Sequence, residues 1–443
     1  MKRLFVALCP LVLGVASAAD LVKLTLPEAV RLAIAQNRSL KIARLKVVEK
    51  QQKKAEARSS YFPEIKNQST AGHTTAEQNI EIPAGAFGVL PGANLVPNRD
   101  VIINQGNQTF VTSGTTAAQP LTPLIRIHAA NRIAASDIAV SRDELKKAEN
   151  EVALKVHEVY YGILIARLQK KAAEQDRVYS RARLNDSDQD VRNGSALKVS
   201  AIEGQAGLLQ SEQELLTIDL HLSDLNSELN DLLGLPLDTP LELSPVEPAS
   251  HNDVPREETL RQALVQNPQI SSATEMVQQA RAALTAAKSA YIPDVSVFAR
   301  HSYQNGIPFL VHNFGTFGVT LNYDVFDFGK RRAVVRERQA QLAQAQENVE
   351  RLKDAVSVQI DRSLNKVERT KHMLQVSNQL VKLRSEADRI AENQLTHGVI
   401  LVSARREASA ATYKAQADLL QAELAHLLAN AELEETIGRT PGR

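Results

Sequence analysis

Residues 26–65 read LPEAVRLAIAQNRSLKIARLKVVEKQQKKAEARSSYFPEI, and residues 256–295 read REETLRQALVQNPQISSATEMVQQARAALTAAKSAYIPDV. The two stretches align without a gap at a constant offset, Leu26 on Arg256 and Ile65 on Val295, and share eleven of forty positions. In the first copy these are Glu28, Arg31, Ala33, Gln36, Asn37, Ala43, Val47, Ala57, Ser59, Tyr61 and Pro63. Both copies end alike, in Tyr61-Phe62-Pro63-Glu64-Ile65 and in Tyr291-Ile292-Pro293-Asp294-Val295. Further along a second, shorter offset takes over: Gly194 answers to Gly398, and Gly234 to Gly438. The chain is therefore a duplication, one structural plan used twice. The offset shrinks between the two blocks, which places a longer loop in the first copy.

Within each copy the same order of elements follows. Pro27 opens a helix, and Ala29, Leu32, Ala33 and Leu40 carry its apolar face toward Ser60. Pro63 and Pro293 end these opening helices, because proline keeps its predecessor out of the helical region. Val295, Val297, Ala299 and Tyr303 then alternate with Ser296, Arg300 and Ser302. Phe317, Val319, Leu321, Tyr323 and Val325 alternate with Gly318, Thr320, Asn322 and Asp324. A period of two predicts strands that are apolar on one face and wet on the other. The first copy has weaker counterparts at Glu64 to Gly72 and Gln108 to Gln119, separated by a Gly/Pro/Asn-rich loop at Thr75 to Asn107.

From Lys330 to His397 the sequence holds neither Gly nor Pro. As a continuous helix this is a rod of about 100 Å. Val349, Leu352, Val356, Ile360, Leu364 and Val367 step by three and four along it, and Val152, Val156, Val159 and Ile163 do the same in the first copy. The other faces are rich in Lys, Arg, Glu and Gln, so the rods stand in water. A narrow apolar stripe on so long a helix predicts coiled-coil packing. Gly194 and Gly398 then turn the chain back into a second helix, which ends at Gly234 or Gly438. Four segments result: an export signal at 1–19, a first repeat at 20–235, a proline-rich linker at 236–256 and a second repeat at 257–443.

The export signal is read from Lys2 and Arg3, the apolar run Leu4 to Val15 and the small residues Ala16-Ser17-Ala18, with the mature chain starting near Ala19 or Asp20. That run is too short for a membrane helix, which takes about 20 residues. Cys9, the one cysteine, falls inside it and follows the wrong neighbour for lipid attachment, so the mature chain has no disulfide and no cysteine-held metal. With 52 Lys+Arg against 51 Asp+Glu, the chain carries no basic surplus of the kind a nucleic-acid binder shows.

The aromatics decide what the strands are for. Thirteen of the eighteen Phe and Tyr residues lie in the two strand windows, among them Phe298, Phe317, Tyr323, Phe326 and Phe328. Strands favour aromatics in any setting, but a chain so poor in them that concentrates them here fits the aromatic girdles of an outer-membrane barrel. In lipid, strands can span only as a closed barrel. Four strands cannot close, since the smallest usual barrels have about eight. The barrel must be shared between subunits.

In these features the chain resembles the TolC-type outer-membrane efflux family. The resemblance is carried by the duplicated Leu26-Pro27-Glu28-Ala29 … Gln36-Asn37 and Glu258 … Gln266-Asn267-Pro268 helices and by the Tyr-x-Pro-[Asp/Glu] junctions. Tyr323-Asp324-Val325-Phe326-Asp327-Phe328-Gly329-Lys330-Arg331 enters the long helix, with Gln119-Pro120-Leu121 as its first-copy counterpart. The turning glycines and the closing Leu233-Gly234 and Ile437-Gly438 complete the order, which covers essentially the whole mature chain. The resemblance implies a mainly α fold with a β part: a homotrimer whose four strands per chain make a twelve-stranded outer-membrane β-barrel, above a duplicated long-helix coiled-coil tunnel. It implies outer-membrane lipid, a periplasmic adaptor (membrane fusion) protein and an inner-membrane pump as partners. The function that follows is a passive exit duct of a tripartite efflux or type I secretion system. The alternative from another class is a periplasmic coiled-coil scaffold or adaptor without a pore, which leaves the two-faced strands without a purpose.

Enzyme chemistry, cofactors and metals are not expected. His157-Glu158-Val159-Tyr160-Tyr161 begins like a zinc-protease helix, but Tyr161 stands where the second histidine would be. The expected functional positions are the periplasmic turns. Asn193, Gly194, Ser195, His397, Gly398 and Val399 are the candidates for docking the adaptor. In the family, acids six and nine positions after the turn glycine ring the tunnel entrance. Here the sixth positions are Ser200 and Ala404, a departure, while the ninth are Glu203 and Glu407. These two are either the carboxylates of an entrance ring, which would favour cations, or ordinary solvated helix residues.

Overall fold

The structure is a computed structural model describing residues 22–76, 79–88, 92, 96–106, 108–245, 255–307 and 311–442. The expected export signal lies outside them. In chain order the elements are β1 (Val22–Leu24), α1 (Leu26–Gln36), α2 (Arg38–Ser59), β2 (Glu64–His73), β3 (Asn79–Ile82), β4 (Val101–Asn104), β5 (Thr109–Pro120), α3 (Leu124–Arg192) and α4 (Lys198–Leu233). The second repeat follows with β6 (Leu241–Leu243), α5 (Arg256–Gln266), α6 (Pro268–Ser289), β7 (Asp294–Asn305), β8 (Asn313–Asn322), α7 (Lys330–Thr396) and α8 (Val402–Ile437).

The opening helix of each repeat is not continuous, as the apolar spacing suggested, but broken at an asparagine. Asn37 turns to ψ 127°. Its Oδ1 accepts the N–H groups of Ser39 at 2.9 Å and Leu40 at 3.3 Å, and its Nδ2 donates to the Leu232 carbonyl at 3.1 Å. Asparagine competes with the helical backbone in this way, which makes it a poor interior residue and a strong cap. Asn267 breaks the second copy alike, accepting from Gln269 N–H at 2.8 Å and donating to the Thr436 carbonyl at 2.9 Å. Pro268, next in line, has no N–H to leave unsatisfied at the start of α6.

Two compact units share the chain: 22–46, 141–272 and 349–442 form one, and 47–140 with 273–348 form the other. Both repeats contribute to both units, and α3 and α7 pass from one to the other. In the helical unit, the α1 face Leu26, Ala29, Val30 and Ala33 packs with Val156, Val159, Tyr160 and Ile163 of α3 and Leu229 and Leu233 of α4. A second cluster joins Ala263 and Ile270 to Val356, Ile360 and Ile437. The predicted stripes thus meet in layers along the helices and not in one globular centre.

The joining stretch is more than a linker. β6 lies within it and pairs in parallel with β1, Val22 opposite Leu241 and Leu24 opposite Leu243. Tyr160, fully buried, donates its hydroxyl to the Ser244 carbonyl at 2.7 Å, with the Leu24 carbonyl 3.0 Å away. Burial is the main cause that pushes this phenol up to about 12, so it remains a donor at any ordinary pH. Residues 246–254 of the stretch lie outside the described ones.

The other unit contains an antiparallel sheet in the order β2-β5-β7-β8. These are the four predicted strands, two from each repeat. β8 stops at Asn322, short of the alternation read through Val325, because Arg331 reaches back to donate to the Asp324 carbonyl at 2.5 Å and curls the chain into α7. The loop expected at Thr75 to Asn107 carries a hairpin of its own, β3 with β4. Its strands are the two β-branched runs Asn-Ile-Glu-Ile and Val-Ile-Ile-Asn, which favour extended backbone.

Candidate functional site

The register of the sheet sorts its residues onto two faces. Ile65, Ala117, Ala299 and Phe317 lie in one row of mutual partners, next to the row of Val297 and Val319 and that of Val295 and Leu321. Phe317 is 89% exposed and Val319 66%. So large an exposed apolar surface suits lipid and not water. The opposite face carries Lys66, Gln68, Thr112, Thr116, Arg300, Thr316 and Thr320. The outer edges of β2 and β8 have no partner within the sheet.

Two details depart from a simple division of apolar and polar. Phe110, Phe298 and Phe314 stand on the polar face, not in the apolar girdle expected of them. Two of these rings cover cross-strand glycines: a Cβ at Gly318 would meet Phe298 at 3.2 Å, and one at Gly72 would collide with Phe110. Such rings close the gap that glycine leaves in a strand. On the apolar face, Asn67 donates to Thr115 at 2.8 Å and to Ser113 at 3.2 Å, and Ser69 donates to Asn67 at 2.8 Å. These polar groups satisfy one another, which is what permits them there.

Where β8 gives way to α7, Asp327 caps the helix. Its carboxylate accepts from Gly329 N–H at 3.1 Å, from Arg331 N–H at 3.0 Å and from Arg331 Nε at 2.6 Å. The Arg331 guanidinium lies 5.0 Å from the Tyr323 ring and 5.5 Å from Tyr291, a cation–π pair of contacts. The Arg331 bond holds the Asp327 carboxyl below its ordinary range. In this way Tyr291 and the Tyr323–Arg331 run, far apart in sequence, form one junction.

The two turns are built alike. Gly194 and Gly398 take φ 72° and 70°, a left-handed conformation that suits glycine. Ser195 N–H reaches the Asp190 carbonyl and Val399 N–H the Gln394 carbonyl, both at 2.9 Å, the six-to-one bond of a Schellman motif. Asn193, Gly194, Ser195, His397, Gly398 and Val399 are all exposed. So are Leu197, Val199, Ile202, Leu401 and Val402, large apolar residues absent from the candidates read off the sequence. Apolar residues immediately after a turn glycine, where a helix face would be starting, were the signal that could have found them.

Glu203 and Glu407 are exposed near the starts of α4 and α8. Glu407 lines a groove of about 560 Å³ with Asp176, Tyr179, Glu214, Lys414 and Asp418. Burial raises the Asp176 carboxyl, against the opposing charge of Lys414. The hairpins differ at this level. Arg405 of α8 bonds Asp388 at 2.8 Å and also Glu392, both on α7. Its first-repeat counterpart is Ala201, and there Gly204 instead packs on Leu184, a Cβ on Gly204 lying 3.2 Å from the Leu184 Cα. His157 is buried, its Nδ1 donating to the Ala153 carbonyl at 2.8 Å. No described helix is long and apolar enough to cross a membrane.

Residues 259–439 match the family described as outer membrane efflux protein. The match lies within the second repeat. Among solved structures, the chain is similar over 93% of its length to the Campylobacter jejuni CmeC outer membrane channel, covering 85% of that chain at 15% identity and a TM-score of 0.76. It is similar over 94% to the outer membrane protein VceC from Vibrio cholerae, covering 96% at 15% identity and a TM-score of 0.73. A membrane protein from Pseudomonas aeruginosa matches over 93% of both chains at 17% identity and a TM-score of 0.74. No curated protein gives a significant match. The TolC-type fold thus extends through both repeats. The fold is that of outer-membrane channels with a large helical part, and the family match falls in its second half.

Proposed function

We propose that the chain is the outer-membrane exit duct of a tripartite export system, working as a homotrimer with a periplasmic adaptor and an inner-membrane pump. The observation that carries the trimer is the four-stranded sheet with an apolar exposed face and two open edges. Backbone groups left unpaired in lipid cost several kcal/mol each. Pairing the edge of β8 with β2 of the next copy removes the cost, and three chains of four strands give a twelve-stranded barrel. Transport through such a duct is passive, its energy supplied by the pump. A scaffold without a pore would leave Phe317, Val319 and Leu321 exposed to water.

The turns at Gly194 and Gly398 dock the adaptor. Their support is the duplicated geometry and the exposed Leu197, Val199, Leu401 and Val402, which offer a partner apolar anchors next to a rigid backbone. Glu203 and Glu407, two per chain, would place six carboxylates in a trimer near the same turns. The domain plan that serves this function is the repeat pair 20–235 and 257–443.

The test is purification from outer membranes in detergent, with molar mass by light scattering and conductance in planar bilayers. A trimer that conducts is expected. Recovery as a monomer that needs no detergent would overturn the reading.

A further inference from the structure

Arg300 stands in the middle of β7 on the polar face, opposite Thr116 of β5 and Thr316 of β8. Charges on this face are few. Glu64 and Lys66 pair with each other at 2.8 Å, and Asp294 pairs with Arg126 at 2.6 Å. Arg300 makes no ion pair with any described residue, so its guanidinium is the uncompensated charge of the face. The sheet also makes room for it. Gly114 of β5 is diagonal to it, and a Cβ there would lie 2.9 Å from the Arg300 Nη2 and 3.2 Å from Nε. The guanidinium therefore occupies the space that a side chain at 114 would fill. Gly114 is buried on a strand that is otherwise at least partly exposed. A glycine in mid-strand weakens a sheet unless something approaches closely, and here the arginine does.

We propose that Arg300 is an anion-attracting site on the inner wall of the barrel, recognising carboxylate and phosphate groups of passing solutes. The inference rests on the trimeric duct of the preceding section, in which the polar face lines the lumen and three guanidinium groups ring it. Arginine suits the role because its planar fork matches carboxylate and phosphate and stays charged at any working pH. Rings of Arg or Lys are the general means by which pores favour anions. Twelve strands about 4.8 Å apart, tilted by about 40°, enclose a radius of roughly 12 Å. The Debye length is about 10 Å at 0.1 M salt, about 30 Å at 0.01 M and about 3 Å at 1 M. The field of the ring therefore fills the lumen at low salt and retreats to the wall at high salt.

The experiment compares reversal potentials of single channels in KCl gradients for the unmodified protein, Arg300→Gln, Arg300→Lys and Gly114→Ala. Arg300→Gln should shift the chloride-to-potassium permeability ratio toward potassium by about twofold near 0.01 M, with the difference vanishing near 1 M. Arg300→Lys should keep the unmodified ratio. Gly114→Ala should push the guanidinium off the wall, lowering conductance and raising chloride preference, and should do neither in the Arg300→Gln background. Conducting trimers whose ratios are the same in all four proteins at 0.01 M would overturn the site and leave the duct standing. An unmodified protein that forms no channel would overturn the duct and this inference with it. Should Arg300→Gln not assemble, Gly114→Ala alone decides, because it moves the charge without removing it.

Discussion

Asn37 and Asn267 hold the same corner of the fold in the two repeats. Each caps the helix that follows it, and each donates its side-chain amide to a carbonyl near the end of its repeat's last helix, Leu232 for one and Thr436 for the other. The asparagines are related by the offset that sets Leu26 on Arg256, and their acceptors by the one that sets Gly234 on Gly438. The duplication is thus of tertiary contacts and not only of helices.

Replacing either asparagine with alanine removes a cap and strands a carbonyl. Asn37→Ala and Asn267→Ala should each destabilise by about 1–3 kcal/mol. Amide exchange in the residues around Leu232 and Thr436 should accelerate, and unchanged protection there would refute the role.

Gly234 and Gly438 end the last helices at φ 71° and 98°. A Cβ would lie 3.1 Å from the Gln36 carbonyl oxygen at the first and 2.5 Å from that of Gln266 at the second. Backbone atoms cannot swing aside as a side chain can, so alanine should cost more at 438 than at 234. Left-handed strain alone accounts for about 1–2 kcal/mol at each. Thermal unfolding of the two variants tests the order.

Arg405 ties α8 to α7 through Asp388 and Glu392, while the first repeat has Ala201 in its place. Arg405→Ala should raise protease sensitivity around residues 388–405 and leave 184–201 as before. Equal sensitivity in both hairpins would mean that the ion pairs hold nothing.

Glu435 is half-buried, and burial raises its carboxyl above the ordinary range, with the Glu151 and Glu432 charges adding to the effect and Lys147 opposing it. The folded protein then binds the proton more readily than the unfolded chain, so stability is lost when this group ionises and returns as pH falls through its folded value. Glu435→Gln should raise the melting temperature at pH 7. The gain should shrink to nothing below the ordinary glutamate range, and a gain independent of pH would assign the effect to packing.

Gly194→Val and Gly398→Val force a β-branched residue into left-handed backbone that glycine occupies freely. Nothing lies within 4 Å of either Cβ position, so the damage stays at the turn. Export should be lost while the trimer and its conductance persist. Undiminished export by the double variant would remove the turns from docking.

Much of the architecture is legible in the chain because it depends on local pattern. The repeat, the four strands, the helices free of Gly and Pro and the left-handed glycines at 194, 234, 398 and 438 each have a short-range cause: side-chain period, proline's fixed backbone or glycine's missing Cβ. The candidate turn residues were legible for the same reason. The break at Asn37 was not, since a capping asparagine and a tolerated helical one look alike until the Leu232 carbonyl is in place. Nor was β6, a three-residue run among prolines that becomes a strand because β1 lies beside it.

By itself, then, the sequence determined where the long helices, the four sheet strands and the glycine turns lie and that the plan occurs twice, because these follow from interactions among near neighbours. Only the tertiary structure decided which side chains meet across the chain. It set Phe110, Phe298 and Phe314 on the polar face, laid Arg300 over Gly114 and tied the second hairpin near its turn through Arg405, where the first has Ala201. The reason is physical: strand register and helix packing bring together residues hundreds of positions apart, and no local preference encodes which partner each will find.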